Sequence, residues 1–297
     1  MDGFLTELLS LLDEVVFHTN NSSEPLFQTT QASCTKALAG FFSRADIYIG
    51  IICFLSIFLG FMLAKLIYVH LPELLFRIAA GHWAKVYNRS KEEVDDLITK
   101  YIMLANDNAK DFTVRIDKSK GLFQHGVSAN AGYLYEVIFN GQWYKLIIQH
   151  GDDPMLVRCF LETLGHELAH KKGDLPFREV WNTLEGKQKL FCYKYFQFAN
   201  WVKEIHHDHY GFAYCGIASK KDLDDIIFMK CDKQVYDHKN FTHPAWSYRH
   251  KILNDGKFDK SLIDKIAKDM RCDNNDRLKK TLLDHYGEIL LRYEDRL

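Results

Sequence analysis

The sequence predicts an α+β domain preceded by one membrane-spanning helix. Three observations predict it. Ile47–Ala64 is a run of 18 residues without a charge, and apart from Lys65 the apolar character continues to Val69. At about 1.5 Å per residue, the stretch 47–69 is long enough for the roughly 30 Å hydrocarbon core of a bilayer. Further on, short segments rich in aromatic and β-branched residues have strand character, and after them come several stretches with helical apolar spacing. A small sheet followed by helices is the signature of an α+β domain.

Along the chain, residues 1–46 form an extramembrane segment, in which Leu5, Leu8, Leu9, Leu12 and Val16 fit one face of a short amphipathic helix. Asn20, Asn21, Ser22 and Ser23 read as a polar loop that also contains glycosylation sequons. The span at 47–69 lacks the polar stripe of a soluble core helix. Lys36 and Arg44 precede it, whereas Lys65, Arg77, Lys85, Arg89 and Lys91 follow. The positive-inside bias therefore expects a single-pass protein with its C-terminal part in the cytoplasm. Residues 70–90 read as a juxtamembrane helix or linker, and 91–297 as the main domain. Within it, 92–107 reads as an amphipathic helix and FTVRI at 112–116 as a strand. YLYEVIF at 133–139 and WYKLIIQ at 143–149 read as a hairpin around Asn140-Gly141-Gln142. Helices are expected at 154–172, about 187–213, about 221–237, 260–271 and 276–294.

Charge and cysteine usage exclude some functions. Lys and Arg total 38 against 39 Asp and Glu, a net charge of -1, so no basic surface for nucleic acid is expected. The 7 cysteines are odd in number and form no CxxC, which argues against both a disulfide framework and a cysteine zinc ribbon.

The chemistry concentrates in Gly165-His166-Glu167-Leu168-Ala169-His170, an HExxH on an expected helix. Residues four apart share a helix face, so His166 and His170 can grip one metal ion together. Glu167 then lies where it can take a proton from an attacking water. Zn2+ suits such ligands, and a catalytic site needs a third one from the protein. The next candidates lie in the segment 201–211. Glu204, Asp208 and Gly211 follow i, i+4, i+7 spacing. Glu204 is the expected ligand, with Asp208 or His207 as alternatives. Asp208 also suits the role of holding the free nitrogen of a ligating histidine. Gly211 permits close helix packing. His206 and His209 point elsewhere and read as surface or supporting residues. A third group, Thr242-His243-Pro244 with Arg249, offers a histidine able to stabilise an oxyanion and an arginine able to pair with Asp208.

Together, HELAH, the E-x-x-x-D-x-x-G around Glu204 and Asp208, and T-H-P-x-x-x-x-R resemble the membrane-associated zinc metallopeptidases that include HtpX and the CAAX prenyl endopeptidase. The first two elements are also similar to thermolysin and other gluzincins. The resemblance covers roughly residues 90–255. It implies a zincin domain of gluzincin type, with a small sheet and active-site helices, that acts on protein or peptide substrates. It further implies His166, His170 and Glu204 as zinc ligands, Glu167 as general base and acid, His243 at the reaction centre, and Asp208 and Arg249 in support. Peptide substrate would add as a strand to a sheet edge, here within 133–149. Val127-Ser128-Ala129-Asn130-Ala131 is similar to the family's Asn-Ala segment beside that sheet. The single span departs from the several often found in the family, and HHD stands where a small residue often precedes the aspartate. The expected function is a membrane-anchored zinc endopeptidase. The alternatives are a zinc-binding regulatory module with little or no proteolysis, and a peptidase held silent until residues 1–46 or a partner release it.

Overall fold

The computed structural model describes residues 44–117, 129–131, 135–217, 219–231 and 236–293. The helix expected from Leu5 to Val16, the sequons at 20–23 and the first residues of 127–131 and 133–139 lie outside the described residues. The chain divides into two units after Lys65.

In the first unit the described residues form helix α1, Arg44–Lys65. One helical run, Tyr48–Val86, is long and apolar enough to cross a membrane. The second unit begins with a π-helical turn at Leu66–His70. Helix α2, Leu71–Val86, follows, and then α3, Lys91–Ala109. The start of α3 is fixed by a capping box. Ser90 Oγ accepts from the amide of Glu93, whose carboxylate accepts from the amide of Ser90 at 2.7 Å. Buried Val94, Ile98, Tyr101 and Ala105 supply the apolar stripe of α3.

The sheet has three strands in the order β1-β3-β2: β1 is Thr113–Asp117, β2 Ala129–Ala131 and β3 Glu136–Asn140. β1 pairs parallel with β3, Thr113 opposite Glu136, and β2 pairs antiparallel with it, Ala129 opposite Phe139. The expected hairpin is not formed. Residues 143–149 belong to helix α4, Gln142–His150, and Asn140-Gly141 links strand to helix. The physical reason is the spacing of the buried side chains. Trp143, Tyr144, Ile147 and Ile148 are all buried, a one-sided helical pattern that outweighs the β propensity of these residue types. Among the described residues β3 is the central strand and the edges are β1 and β2, so 133–149 supplies no edge strand of the kind expected there.

Helix α5, Pro154–Lys171, carries the HExxH. Asp153 caps it by accepting from the amide of Met155 at 2.8 Å, with Pro154 in its first turn. Helices α6, Phe177–Asn182, and α7, Lys187–Leu190, lead into α8, Cys192–Cys215, so the helix expected at 187–213 is broken at Phe191. α8 ends on Gly216 at φ +66°, a left-handed stop that suits glycine. Next come α9, Lys220–Lys230, and α10, Trp246–Leu253. β4, Lys257–Phe258, and α11, Lys260–Asp269, follow. α12 runs from Asp276 to Tyr286, and the chain ends its described course with β5, Ile289–Leu290. α9 is shorter than the expected 221–237. The helix expected at 276–294 stops at Gly287, φ +76°, and β5 turns back to pair antiparallel with β4.

Two apolar cores position the site. In one, Phe160 of α5 stacks on Phe139 of β3 at 4.2 Å and meets Trp143 at 5.1 Å and Tyr101 at 5.3 Å edge-on. Each such ring pair adds about 0.5–1.5 kcal/mol beyond its buried area. The other gathers Phe198, Val202 and Ile205 of α8 with Ile252, Phe258, Ile263 and Ile266. Phe212, further along α8, belongs to the first core. The residues 204–208 thus sit where one helix passes between two cores.

Candidate metal centre

α5 and α8 cross closely because two glycines meet at the crossing. A methyl group on Gly211 would lie 2.5 Å from the carbonyl oxygen of Glu162 and 3.1 Å from the amide of His166. One on Gly165 would lie 2.7 Å from Cβ of Tyr214 and 3.0 Å from Cα of Gly211. This close approach sets the HExxH face against Glu204, His207 and Asp208.

Glu204 is buried between the two histidines of the motif. Its Oε2 is 3.5 Å from Nε2 of His166, and its Oε1 is 3.8 Å from Nε2 of His170. Two ligand atoms on a tetrahedral ion at about 2.1 Å would be about 3.4 Å apart, so these spacings fit a shared cation. His207 joins the same group. One ring nitrogen from each of His166, His170 and His207 lies within 4.8 Å of the others, and this cluster can hold a metal ion. Two residues of α8, three apart on one face, thus confront two of α5, four apart on one face.

The far nitrogens of the paired histidines are held by carboxylates. His166 Nδ1 lies 3.0 Å from Oδ1 of Asp208, and His170 Nδ1 lies 3.2 Å from Oδ1 of Asp174. An ionised carboxylate only accepts, so each Nδ1 donates and each Nε2 is turned towards Glu204, where a metal would take the place of a proton. Asp208 is buried and is itself gripped by Arg249, which donates through Nε to Oδ2 at 2.6 Å and through Nη2 to Oδ1. Arg249 is buried rather than a surface residue, and its guanidinium lies 3.6 Å from the ring centre of Trp246.

The electrostatics favour a cation. Burial alone would lower the pKa of His166, but hydrogen bonds and charge from Asp208 and Glu204 outweigh it and raise the value well above the usual histidine range. Burial would raise Glu204, yet His166 beside it pulls the carboxyl down to about 2. Asp208 lies far below the usual carboxylate range for the corresponding reason: its burial is outweighed by Arg249 and His166. Asp208 is thus already paired with Arg249, and the carboxylate that would draw a cation is Glu204, buried between the two motif histidines. Burial, then the neighbouring His170 and His166, push His207 far down and keep it neutral, the form that binds metal.

Glu167 is buried next to His166 in sequence. His243 reaches the same place from the loop before α10. Asn240 Oδ1 accepts from the amides of Thr242 and His243, at 2.9 and 2.7 Å, and holds the turn. His243 Nε2 then lies 3.2 Å from Oε2 of Glu204. The structure therefore brings His166, His170, Glu204, Asp208, His243 and Arg249 into one cluster. His206 and His209 do not face it and are not surface residues. The His206 ring packs against Phe258 at 4.9 Å and Tyr286 at 5.0 Å, and His209 Nδ1 donates to the carbonyl of Ile205 at 2.7 Å.

Two features were not anticipated from the sequence. Asp174 holds His170 and also pairs with Lys203 at 3.2 Å. Its only sequence signal is the four-residue step from His170. Behind the site, Lys230 donates to Oε2 of Glu162 at 2.5 Å, both side chains buried. No helical period announces that pair, because its members come from α5 and α9. In comparisons with known proteins, no family model, no curated protein and no solved structure matches the chain.

Proposed function

We propose that the chain is a membrane-anchored zinc-dependent endopeptidase whose main domain is a gluzincin-type zincin. The observation that carries this reading is the placement of Glu204 at 3.5 and 3.8 Å from the two free nitrogens of the HExxH histidines. His166, His170 and Glu204 would hold the ion, an N, N, O donor set that suits zinc. Zinc bound there supplies Lewis acidity and makes water a nucleophile near neutral pH.

The chain's own groups then have the following roles. Glu167 accepts a proton from the attacking water and passes it to the leaving amine. His243 donates a hydrogen bond to the oxygen that gains charge as the carbonyl is attacked. Asp208 and Asp174 fix the tautomers of His166 and His170, and Arg249 fixes Asp208. The substrates are peptides or proteins at or near the bilayer, and the edge strand β2, which packs beside α5, offers backbone groups for an extended peptide. The main domain lies on the cytoplasmic side in this reading, as the flanking charges favour; protection of residues 71–297 from protease added to the cytoplasmic face of sealed membranes would oppose that.

The test is Glu167→Gln in the full chain. Cleavage of a peptide library should fall by about 10²–10⁴-fold, the usual contribution of a general base, while bound zinc stays near one per chain. Undiminished cleavage would end the endopeptidase reading. A second reading, a zinc-binding regulatory module with little or no proteolysis, is favoured by one observation. His207 stands in the cluster with His166 and His170, and four protein ligands leave a metal no open position.

A further inference from the structure

We propose that His207 is a fourth protein ligand, which closes the metal's coordination shell in the conformation described and must withdraw before water can enter. The inference deepens the metallopeptidase reading and rests on its metal site.

Three observations carry it. First, a ring nitrogen of His207 lies within 4.8 Å of the ligand atoms of both His166 and His170. Its ring stands edge-on to them, with centroids 4.0 Å from His170 and 5.7 Å from His166. Second, the His207 side chain is 1% exposed, and its Nδ1 is buried without a hydrogen-bond partner. Buried polar atoms are nearly always satisfied, and an unsatisfied one calls for a missing partner such as an ion. Third, the other nitrogen, Nε2, lies 3.7 Å from Oδ1 of Asp174. At that length it is a charge contact and not a hydrogen bond, whereas His166 and His170 are hydrogen-bonded to their carboxylates through Nδ1 at 3.0 and 3.2 Å.

The position on α8 agrees. His207 follows Glu204 by three residues and shares its helix face, whereas His206 and His209 pack among Phe258, Tyr286 and the helix backbone. The ligand atoms of His166, His170 and His207 lie within 4.8 Å of one another; with Glu204 beside His166 and His170, three imidazoles and one carboxylate would match the ligand number of a closed zinc site. His207 would release such an ion as a neutral imidazole, with no proton or electron transferred.

The experiment loads the full chain in detergent with Zn2+ alone and counts histidines on the metal by zinc-edge X-ray absorption. Wild type should show three imidazoles. His207→Asn and His207→Ala should each show two, with about one zinc per chain still bound. Two imidazoles in wild type would overturn the inference and leave the three-ligand endopeptidase site standing. Three imidazoles persisting in both variants would overturn it as well and assign the third to another residue, His243 first. A wild-type chain that takes up no zinc would overturn the metal site itself. The count on the wild type needs no variant, so misfolding of either substitution leaves the inference exposed to refutation.

Discussion

Arg249 grips both carboxylate oxygens of Asp208, with Nε 2.6 Å from Oδ2 and Nη2 on Oδ1, while the same carboxylate holds Nδ1 of His166 at 3.0 Å. All three residues are buried. One arginine thus fixes the carboxylate that fixes the first histidine of the HExxH, and the chain of contacts joins α10 through α8 to α5.

That chain predicts the cost of breaking it. Arg249→Met leaves Asp208 as a buried carboxylate without its main partner. Removing one member of such a pair costs about 3–5 kcal/mol. Lysine at 249 should recover only part, because it cannot make the two-pronged contact or keep the stack on Trp246. Adding Asp208→Asn to Arg249→Met should cost less than the sum of the two single changes. Denaturant unfolding of the metal-free chain in detergent measures all four forms, and strict additivity would contradict the coupling.

Asp208 and Asp174 hold the far nitrogens of His166 and His170 at 3.0 and 3.2 Å. Carboxylates in this position typically support metal affinity by 10–100-fold. Asp174→Asn should therefore weaken zinc binding within that range while leaving the fold intact, because its side chain is partly exposed. Competition titration with a chelator gives the ratio. An Asp174→Asn chain that binds zinc as tightly as wild type would show that His170 needs no such support.

The contrast between what was and was not legible follows from the range of the interactions. α5 could be read from Pro154 and the spacing of Leu156, Phe160 and Leu164, all local signals. The candidate cluster could be read as far as residue spacing on one helix extends, from His166 to His170 and from Glu204 to Asp208. α4 could not, because Trp143, Tyr144, Ile147 and Ile148 have strand-forming side chains, and they take helical form where Trp143 packs on Phe139 and Phe160 and Tyr144 on Phe76. Asp174 could not either: it lies past the end of α5, in a loop whose path is set by Lys203 and His170. His206 and His209 point away from the cluster as expected, but their burial was not legible, because polar type alone does not reveal a ring packed on Phe258.

Asp259 caps α11 by accepting from the amide of Leu262 at 3.0 Å and from Ser261 Oγ at 2.7 Å. Losing such a cap costs about 1 kcal/mol, and Asp259→Ala should lower stability by that amount at pH 7. Slight burial works to raise its pKa, but the hydrogen bonds from Ser261 and Leu262 and the nearby Lys257 win, so the folded value is depressed. A depressed carboxyl contributes fully above its unfolded value of about 3.9 and loses that contribution as pH falls through the folded value. The difference between wild type and Asp259→Ala should accordingly be constant from pH 7 to 5 and shrink below 4. A difference that grows on acidification would contradict the cap.

The crossing of α5 and α8 makes the sharpest steric prediction. A methyl group at residue 211 meets backbone on both sides, the Glu162 carbonyl at 2.5 Å and the His166 amide at 3.1 Å. Neither neighbour can rotate away, so the helices must part. Overpacking of this kind typically costs about 1–3 kcal/mol. The displacement acts on the site directly, because His166 and His170 ride on one helix and Glu204 on the other. Gly211→Ala should therefore lose both stability and zinc affinity, the latter by tenfold or more, the equivalent of about 1.4 kcal/mol. Gly81→Ala is the control: a methyl group there meets nothing within 4 Å, and replacing glycine by alanine inside a helix gains up to about 1 kcal/mol. Unfolding and chelator competition on the two variants separate the effects. If Gly211→Ala destabilises the chain but leaves zinc affinity unchanged, the metal is not held between these two helices.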